Sequence, residues 1–129
     1  MLNRICLTGF LLLITSLICK QTIATNQQTI TLQFEYGDGF SKQYKTIPIS
    51  QGDTVLDAMK TMQTHPQKIL FKTRGKSELT FIYEIDMIKN EGRGKNWMFY
   101  VNQQRANVGV GIYKLKAGDR VVWKYEVFR

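Results

Sequence analysis

The sequence predicts an α+β fold, a mixed sheet of four to five strands with one main helix packed across it. Three observations carry this reading. Apolar and polar residues alternate strictly from Thr29 to Tyr36, the period of a strand with one buried and one wet face. Val55, Leu56, Met59 and Met62 recur at helical spacing behind a capping pair of Thr54 and Asp57. Two aromatic segments, 97–102 and 121–128, close the chain as long strands.

Taken in order, residues 25–28 are a short polar tether, and the first strand buries Ile30, Leu32, Phe34 and Tyr36. Gly37-Asp38-Gly39 is a turn, because glycine tolerates the positive φ of tight hairpins. The return strand covers 43–49, and Pro48 near its end suits an edge or a strand terminus. The helix starts behind Gln51-Gly52-Asp53-Thr54 and stops at Pro66. Residues 67–77 are basic and aperiodic, an irregular connection with a short strand around 69–71. Leu79, Phe81, Tyr83 and Ile85 alternate with Thr80, Ile82 and Glu84, which predicts a third strand with the first set on one face. Residues 90–96 form a polar, flexible loop, and a turn at Ala117-Gly118-Asp119 precedes the last strand. Two hairpin strands followed by a helix is how a β-grasp begins, and a β-grasp-like sheet fits the whole order.

The amino terminus has the layout of a secretory signal peptide. Met1 to Arg4 is short and basic, residues 5–19 are mostly apolar, and Thr22-Ile23-Ala24 puts small side chains before a cut after Ala24. The apolar run is shorter than the roughly 20 residues that a membrane-spanning helix needs, which argues against an uncleaved anchor. Ile18, bulky and β-branched, argues against a lipid anchor on Cys19. The expected organisation is a signal peptide at 1–24 and one domain at 25–129, secreted or periplasmic. Cys6 and Cys19 both fall in the leader, so the mature domain must hold without disulfides. The leader carries Arg4, Lys20 and no acid, which lowers the formal net charge of +8 by two. The remaining charge is scattered in ones and twos; its longest basic cluster is Lys72-Thr73-Arg74-Gly75-Lys76, and solubility accounts for it.

The most distinctive pattern lies in the last third. The aromatic strand ends in Asn102, and Val108-Gly109-Val110-Gly111-Ile112 leads to a Tyr-x-Leu-x-x-Gly-Asp motif at Tyr113, Leu115, Gly118 and Asp119. Tyr36-Gly37-Asp38-Gly39 and the helix start from Gly52 to Met59 add to it. This order resembles the transcobalamin-like C-terminal domain, a small β-grasp module of animal cobalamin carriers and of many bacterial surface and exported proteins. The resemblance covers essentially all of 25–129. It implies a binding module, with cobalamin, a related corrinoid or another small molecule as ligand. In the carriers a larger helical domain covers the other side of the cobalamin. Residues 25–129 have no room for one, so the resemblance implies weak binding, a partner chain or a different ligand. Asn102-Gln103 stands where relatives often carry Asn-Gly, which argues against a tight two-residue turn there, and Asp86-Met87 stands where they often carry Asp-Gly.

Catalytic and metal chemistry finds no foothold in the pattern. His65 is the single histidine, and without Cys in the mature chain there is neither a nucleophile–base pair nor a metal cluster of recognisable spacing. Glu84 and Asp86 lie two apart and can share a strand face, but a wet sheet edge explains them better, because nothing else in the sequence marks a cleft there. Gly92-x-Gly94-Lys95 lacks the Ser or Thr and the helix that a phosphate-binding loop requires. The aromatic residues are more informative. Trp97 and Phe99 share a strand face directly behind a basic loop with Arg93, Lys95 and Asn96, an arrangement suited to stacking on a flat anionic or amide-bearing ligand. With Asn102 and Tyr113 of the motif, these five residues make up the expected ligand-binding set. Trp123 and Tyr125 share a face of the last strand, and Trp123 is expected in the core. The expected function is an exported, non-catalytic binding module. The alternative is an extracellular domain contacting protein or polysaccharide, with no small ligand. Expected partners are a small molecule or a surface or extracellular protein, with no nucleic acid and no stable membrane insertion after cleavage.

Overall fold

The computed structural model describes residues 24–129; residues 1–23, with Cys6, Cys19 and all but the last residue of the signal peptide expected at 1–24, lie outside the described residues. A five-stranded sheet forms from β1 (Thr29–Glu35), β2 (Ser41–Pro48), β6 (Lys95–Val101), β7 (Gln104–Arg105) and β8 (Arg120–Val127), in the order β2-β1-β8-β6-β7. The chain's last strand is therefore the middle of the sheet. It runs parallel to β1 and antiparallel to β6, which makes the sheet mixed. Parallel neighbours need a long crossover, and everything between β2 and β8 supplies it. Trp123 sits opposite Phe34 on one side and Phe99 on the other, at the centre of the buried face.

The alternation read from the sequence sets that face. Ile30, Leu32, Phe34 and Tyr36 from the β1 segment, Tyr44 and Ile47 from β2, and Val121 and Trp123 from β8 are buried, while Gln33, Glu35, Lys124 and Glu126 lie on the half-exposed opposite face. Helix α1 (Val55–Thr64) packs across the buried face through Val55, Ala58, Met59 and Met62. Its start is a capping box: Thr54 accepts from Asp57 N at 3.3 Å, and the Asp57 carboxylate accepts from Thr54 N at 2.9 Å. The shorter Asp thus does the work usually given to Glu. His65 adopts extended backbone ahead of Pro66, which ends the helix, and its ring packs edge-on against Tyr44.

One part of the crossover departs from the expected single sheet. The strands β3 (Phe71–Arg74), β4 (Phe81–Ile85) and β5 (Ile88–Lys89) pair antiparallel as a second, three-stranded sheet. The short strand expected around 69–71 begins only at Phe71, leaving Ile69 as a fully buried plug beside α1. The residues that alternation sets on one face of β4 do not share one environment. Leu79 lies in a 3-10 turn (Ser77–Leu79) and is 81% exposed, Phe81 is 47% exposed, and Ile82 and Glu84 point inward with Ile85. A carboxylate on the inner face looks forbidden from sequence. Here Lys72 at 3.0 Å and Lys89 at 3.9 Å, from the two flanking strands, neutralise Glu84. The Glu84 and Asp86 carboxylates therefore do not act as a pair. Asp86 belongs instead to the β4–β5 turn, where it receives Lys42, Tyr36 and the amide of Leu70.

Candidate functional site

Between the second sheet and the β6–β8 part of the first lies a cavity of about 210 Å³. Phe81 and Ile82 of β4 wall one side, and Trp97 and Phe99 of β6 with Trp123 of β8 wall the other. Asn90 and Arg105 also line it, and Ala106, Gly109 and Val110 close it from the loop between β7 and β8. That loop is seated by hydrogen bonds to the helix start. Val55 N donates to Tyr113 O and Leu56 N to Val110 O, both at 3.0 Å, so unpaired first-turn amides of α1 fix the loop carbonyls. On its other side the loop lies against the 77–80 turn, where Gly111 comes so close that a β-carbon would stand 2.6 Å from Ser77 O.

The aromatic rings of the wall brace one another. Phe99 and Trp123 are tilted at 5.1 Å between centroids, and Tyr113 meets Phe99 edge-on at 6.0 Å. Trp97 is flanked by Tyr125 at 5.2 Å and, perpendicular, by Tyr36 at 5.5 Å. The Trp97 indole N–H donates to Ile88 O at 2.8 Å. The Trp123 indole N–H, by contrast, is buried without a hydrogen-bond partner. The Tyr125 hydroxyl reaches Lys89 O at 2.9 Å and Glu91 Oε1 at 2.7 Å, and burial together with the Glu91 carboxylate pushes its phenol up to about 12.

The seven residues singled out from sequence fall into three places. Trp97 and Phe99 line the cavity, and Tyr113 buttresses Phe99. Trp97 is only 4% exposed, so it is a buried wall and not the open platform expected behind the basic loop. Arg93, Lys95 and Asn96 lie away from the cavity. Asn96 closes its own loop, accepting from Gly92 N and donating to Gly92 O and Gly94 O, and Lys95 Nζ donates to Gly37 O at 3.3 Å. Asn102 is likewise occupied: its amide donates to Asp119 Oδ1 and its carbonyl accepts from Arg120 N, each at 2.9 Å. The Asn and Gly-Asp elements of the motif are thus partners across a turn. Sequence reasoning passed over Phe81, Asn90, Arg105 and Val110. The spaced glycines at Gly109 and Gly111 were the available signal, since they mark a loop backbone in close approach.

Among the described residues no group of three or more His, Cys, Asp or Glu side chains is placed to hold a metal ion. No helix among them is long and apolar enough to cross a membrane.

The family described as "Domain of unknown function (DUF4430)" matches residues 52–127, from the turn before α1 to the end of β8. The chain belongs to this family. The DUF4430 match takes in every residue that lines the cavity and leaves out β1 and β2. No curated protein matches the sequence. Among solved structures, this DUF4430 chain is similar to a candidate metal-binding protein from Ruminococcus gnavus, with a TM-score of 0.64 and 12% identity, covering 80% of this chain and 100% of that one. It is also similar to haptocorrin in complex with Cbi, with a TM-score of 0.61 and 18% identity over 78% of this chain. It spans 26% of the haptocorrin chain. At these identities the likeness is one of fold, and both neighbours are described by something they bind.

Proposed function

We propose that residues 25–129 form an exported, non-catalytic binding module of the transcobalamin-like C-terminal type, which takes a small organic molecule in the aromatic cavity. The observation that carries this reading is the cavity itself: an apolar recess with a few polar groups at a seam between two sheets is the ordinary form of a small-ligand site. A corrinoid is far too large for about 210 Å³ and would meet only the rim around it. The likeness in fold to haptocorrin, solved in complex with Cbi, supports a corrinoid as one candidate ligand, and the leader pattern supports export. Amino-terminal sequencing of the exported protein should read from Thr25.

The two tryptophans are built-in reporters, one on each aromatic cluster of the wall. Titration with cobinamide and with one- and two-ring aromatic compounds, followed by the two indole N–H resonances, should give saturable shifts for a ligand of this site. Unmoved indole signals across the whole set would overturn the reading. The alternative, a protein-interaction domain, is favoured by a different observation. Leu79, Phe81, Val108 and Ile112 are exposed apolar side chains on the 77–80 turn, the start of β4 and the adjoining loop.

A further inference from the structure

We infer that the end of the domain around Asp86 docks reversibly on an anionic lipid surface through three apolar loop tips, Phe40, Leu70 and Met87. This goes beyond the small-ligand reading and does not rest on it, since none of the three lines the cavity. Each of these side chains is more than half exposed. They come from three separate connections: Phe40 precedes β2, Leu70 precedes β3, and Met87 lies in the β4–β5 turn. One polar knot holds the three segments together. Asp86 N donates to Leu70 O at 2.8 Å, Asp86 Oδ1 accepts from Leu70 N at 3.1 Å, and Asp86 Oδ2 accepts from Tyr36 and Lys42. The Phe40 ring packs on Tyr36 at 5.5 Å between centroids, and Phe40 O accepts from Tyr36 N. The tips are thus fixed by folded structure, and their exposure is a built feature of this end.

Met87 is the residue that packing does not explain. It stands in left-handed backbone, with φ of 65°, at a turn position that glycine serves without strain. A β-carbon costs stability there, and the exposed side chain restores little of it by burial. A local rule broken without a compensating contact marks a functional position. The charges around the tips name the occupant. Asp86 is matched by Lys42, and Glu84 by Lys72 and Lys89. The Glu91 carboxylate accepts from the Tyr125 hydroxyl and Lys95 N, and the Asp38 carboxylate accepts from Phe40 N. Lys68, Arg93 and Lys95 make no ion pair among the described residues, and Lys95 Nζ lies against the Gly37 turn. The acids at this end are therefore engaged within the domain, and three cations are left to face an anion. The same surplus of positive charge disfavours a second copy of this face as the occupant. Single apolar tips set among lysines suit a lipid interface, where the tips sink below the headgroups and the ammonium groups stay among the phosphates. Such docking needs no membrane-spanning helix, and the described residues contain none.

The test floats the purified protein with vesicles of phosphatidylcholine alone or mixed with phosphatidylglycerol. The protein should bind the mixed vesicles, should come off as salt rises, and should bind phosphatidylcholine alone far less. Met87→Gly suits the turn, so this variant should fold at least as stably as the parent. It should nevertheless bind the mixed vesicles about tenfold more weakly, as expected for one lost apolar anchor. Lys68→Gln should weaken binding by about fivefold, the loss of one basic contact with an anionic surface. Ile112→Ser, which removes an exposed apolar side chain from the loop that closes the cavity, should bind as the parent does. Phe40→Trp puts an exposed indole on one tip; on the mixed vesicles its emission should shift to shorter wavelength and be quenched by brominated acyl chains. Equal binding to the two kinds of vesicle, or undiminished binding by Met87→Gly, would overturn the inference. Binding lost in Ile112→Ser would place the contact at the cavity and overturn it as well. Bound Phe40→Trp with unshifted emission would show that the tips stay in water, which overturns docking through them. No binding to either kind of vesicle would overturn the lipid surface in favour of an acidic protein partner on the same tips.

Discussion

The Tyr36 hydroxyl donates to Asp86 Oδ2 at 2.5 Å and so joins the end of the first strand to the β4–β5 turn of the second sheet. Lys42 Nζ adds an ion pair to the same oxygen at 2.8 Å and lies over the Tyr36 ring. Burial alone would raise the Asp86 carboxyl. The hydrogen bonds from Lys42, Tyr36 and the Leu70 amide outweigh it and hold the group below the usual carboxylate range. Burial, then the bond to Asp86, pushes the Tyr36 phenol up, so it stays protonated as the donor. The cavity lies between the two sheets that this contact ties together.

Asp86 therefore gives a pH-dependent stability term of known sign. Its folded pKa is depressed, so its contribution is present above the unfolded value of about 3.9 and is lost as pH falls through the folded one. Asp86→Asn keeps the shape and tolerates the positive φ of 47° at this position. It should cost about 1–3 kcal/mol at pH 7 by urea unfolding, and the gap to the parent should close below about pH 4. A gap of constant size down to pH 2 would show that the charge on Asp86 contributes nothing.

Burial of both indoles makes the second prediction. Trp97 is 4% and Trp123 is 2% exposed, so Trp97→Ala and Trp123→Ala should each destabilise the domain by about 3–5 kcal/mol. Trp97→Phe should also lose stability, because it leaves Ile88 O without its donor. Trp123→Phe removes an N–H that has no partner, so the fill of the ring is its main loss and it should be the milder of the two. Equal unfolding midpoints for the two Phe variants would contradict this.

How far the sequence could be read follows from what each residue obeys. Strict alternation in β1 and the capping pair at Thr54 and Asp57 are local signals, and the strand and the helix they imply are present. The facing of β4 was not legible, because Phe81, Ile82, Tyr83 and Ile85 leave apolar residues on both sides and the polar Glu84 is the one that turns inward. Only Lys72 and Lys89, placed by strand pairing, make that tolerable. The site shows the same division. Trp97 and Phe99 could be named from their strand, whereas Arg105 reaches the cavity only because β7 folds back on Tyr100.

The two places where glycine was expected are tight turns all the same. Asp86 and Met87 have φ of 47° and 65°, and Asn102 and Gln103 have φ of 50° and 71°, so both central residues of each turn are left-handed. That is the hairpin turn that Asn-Gly or Asp-Gly normally serves, here imposed by the pairing of β4 with β5 and of β6 with β7. Met87 is 82% exposed and contributes little packing. Met87→Gly and Gln103→Gly should therefore stabilise the domain, each by up to about 1 kcal/mol after the added freedom of the unfolded chain is subtracted. A lower thermal midpoint in both variants would mean that the side chains matter more than the backbone.

Gly109 and Gly111 give a matched pair on the loop that closes the cavity. A β-carbon at position 109 would meet Glu78 O and Thr80 O at 3.5 Å, ordinary contact, whereas at position 111 it would stand 2.6 Å from Ser77 O, a backbone atom that cannot step aside alone. Gly109→Ala should stay within about 0.5 kcal/mol of the parent. Gly111→Ala should cost about 1–3 kcal/mol, because the loop must lift off the 77–80 turn. That displacement also strains the bonds from the α1 amides to Val110 O and Tyr113 O. Amide exchange at Val55 and Leu56 should accordingly speed up in Gly111→Ala and not in Gly109→Ala. Unchanged exchange at both amides would show that the 77–80 turn yields and that the helix start alone holds the loop.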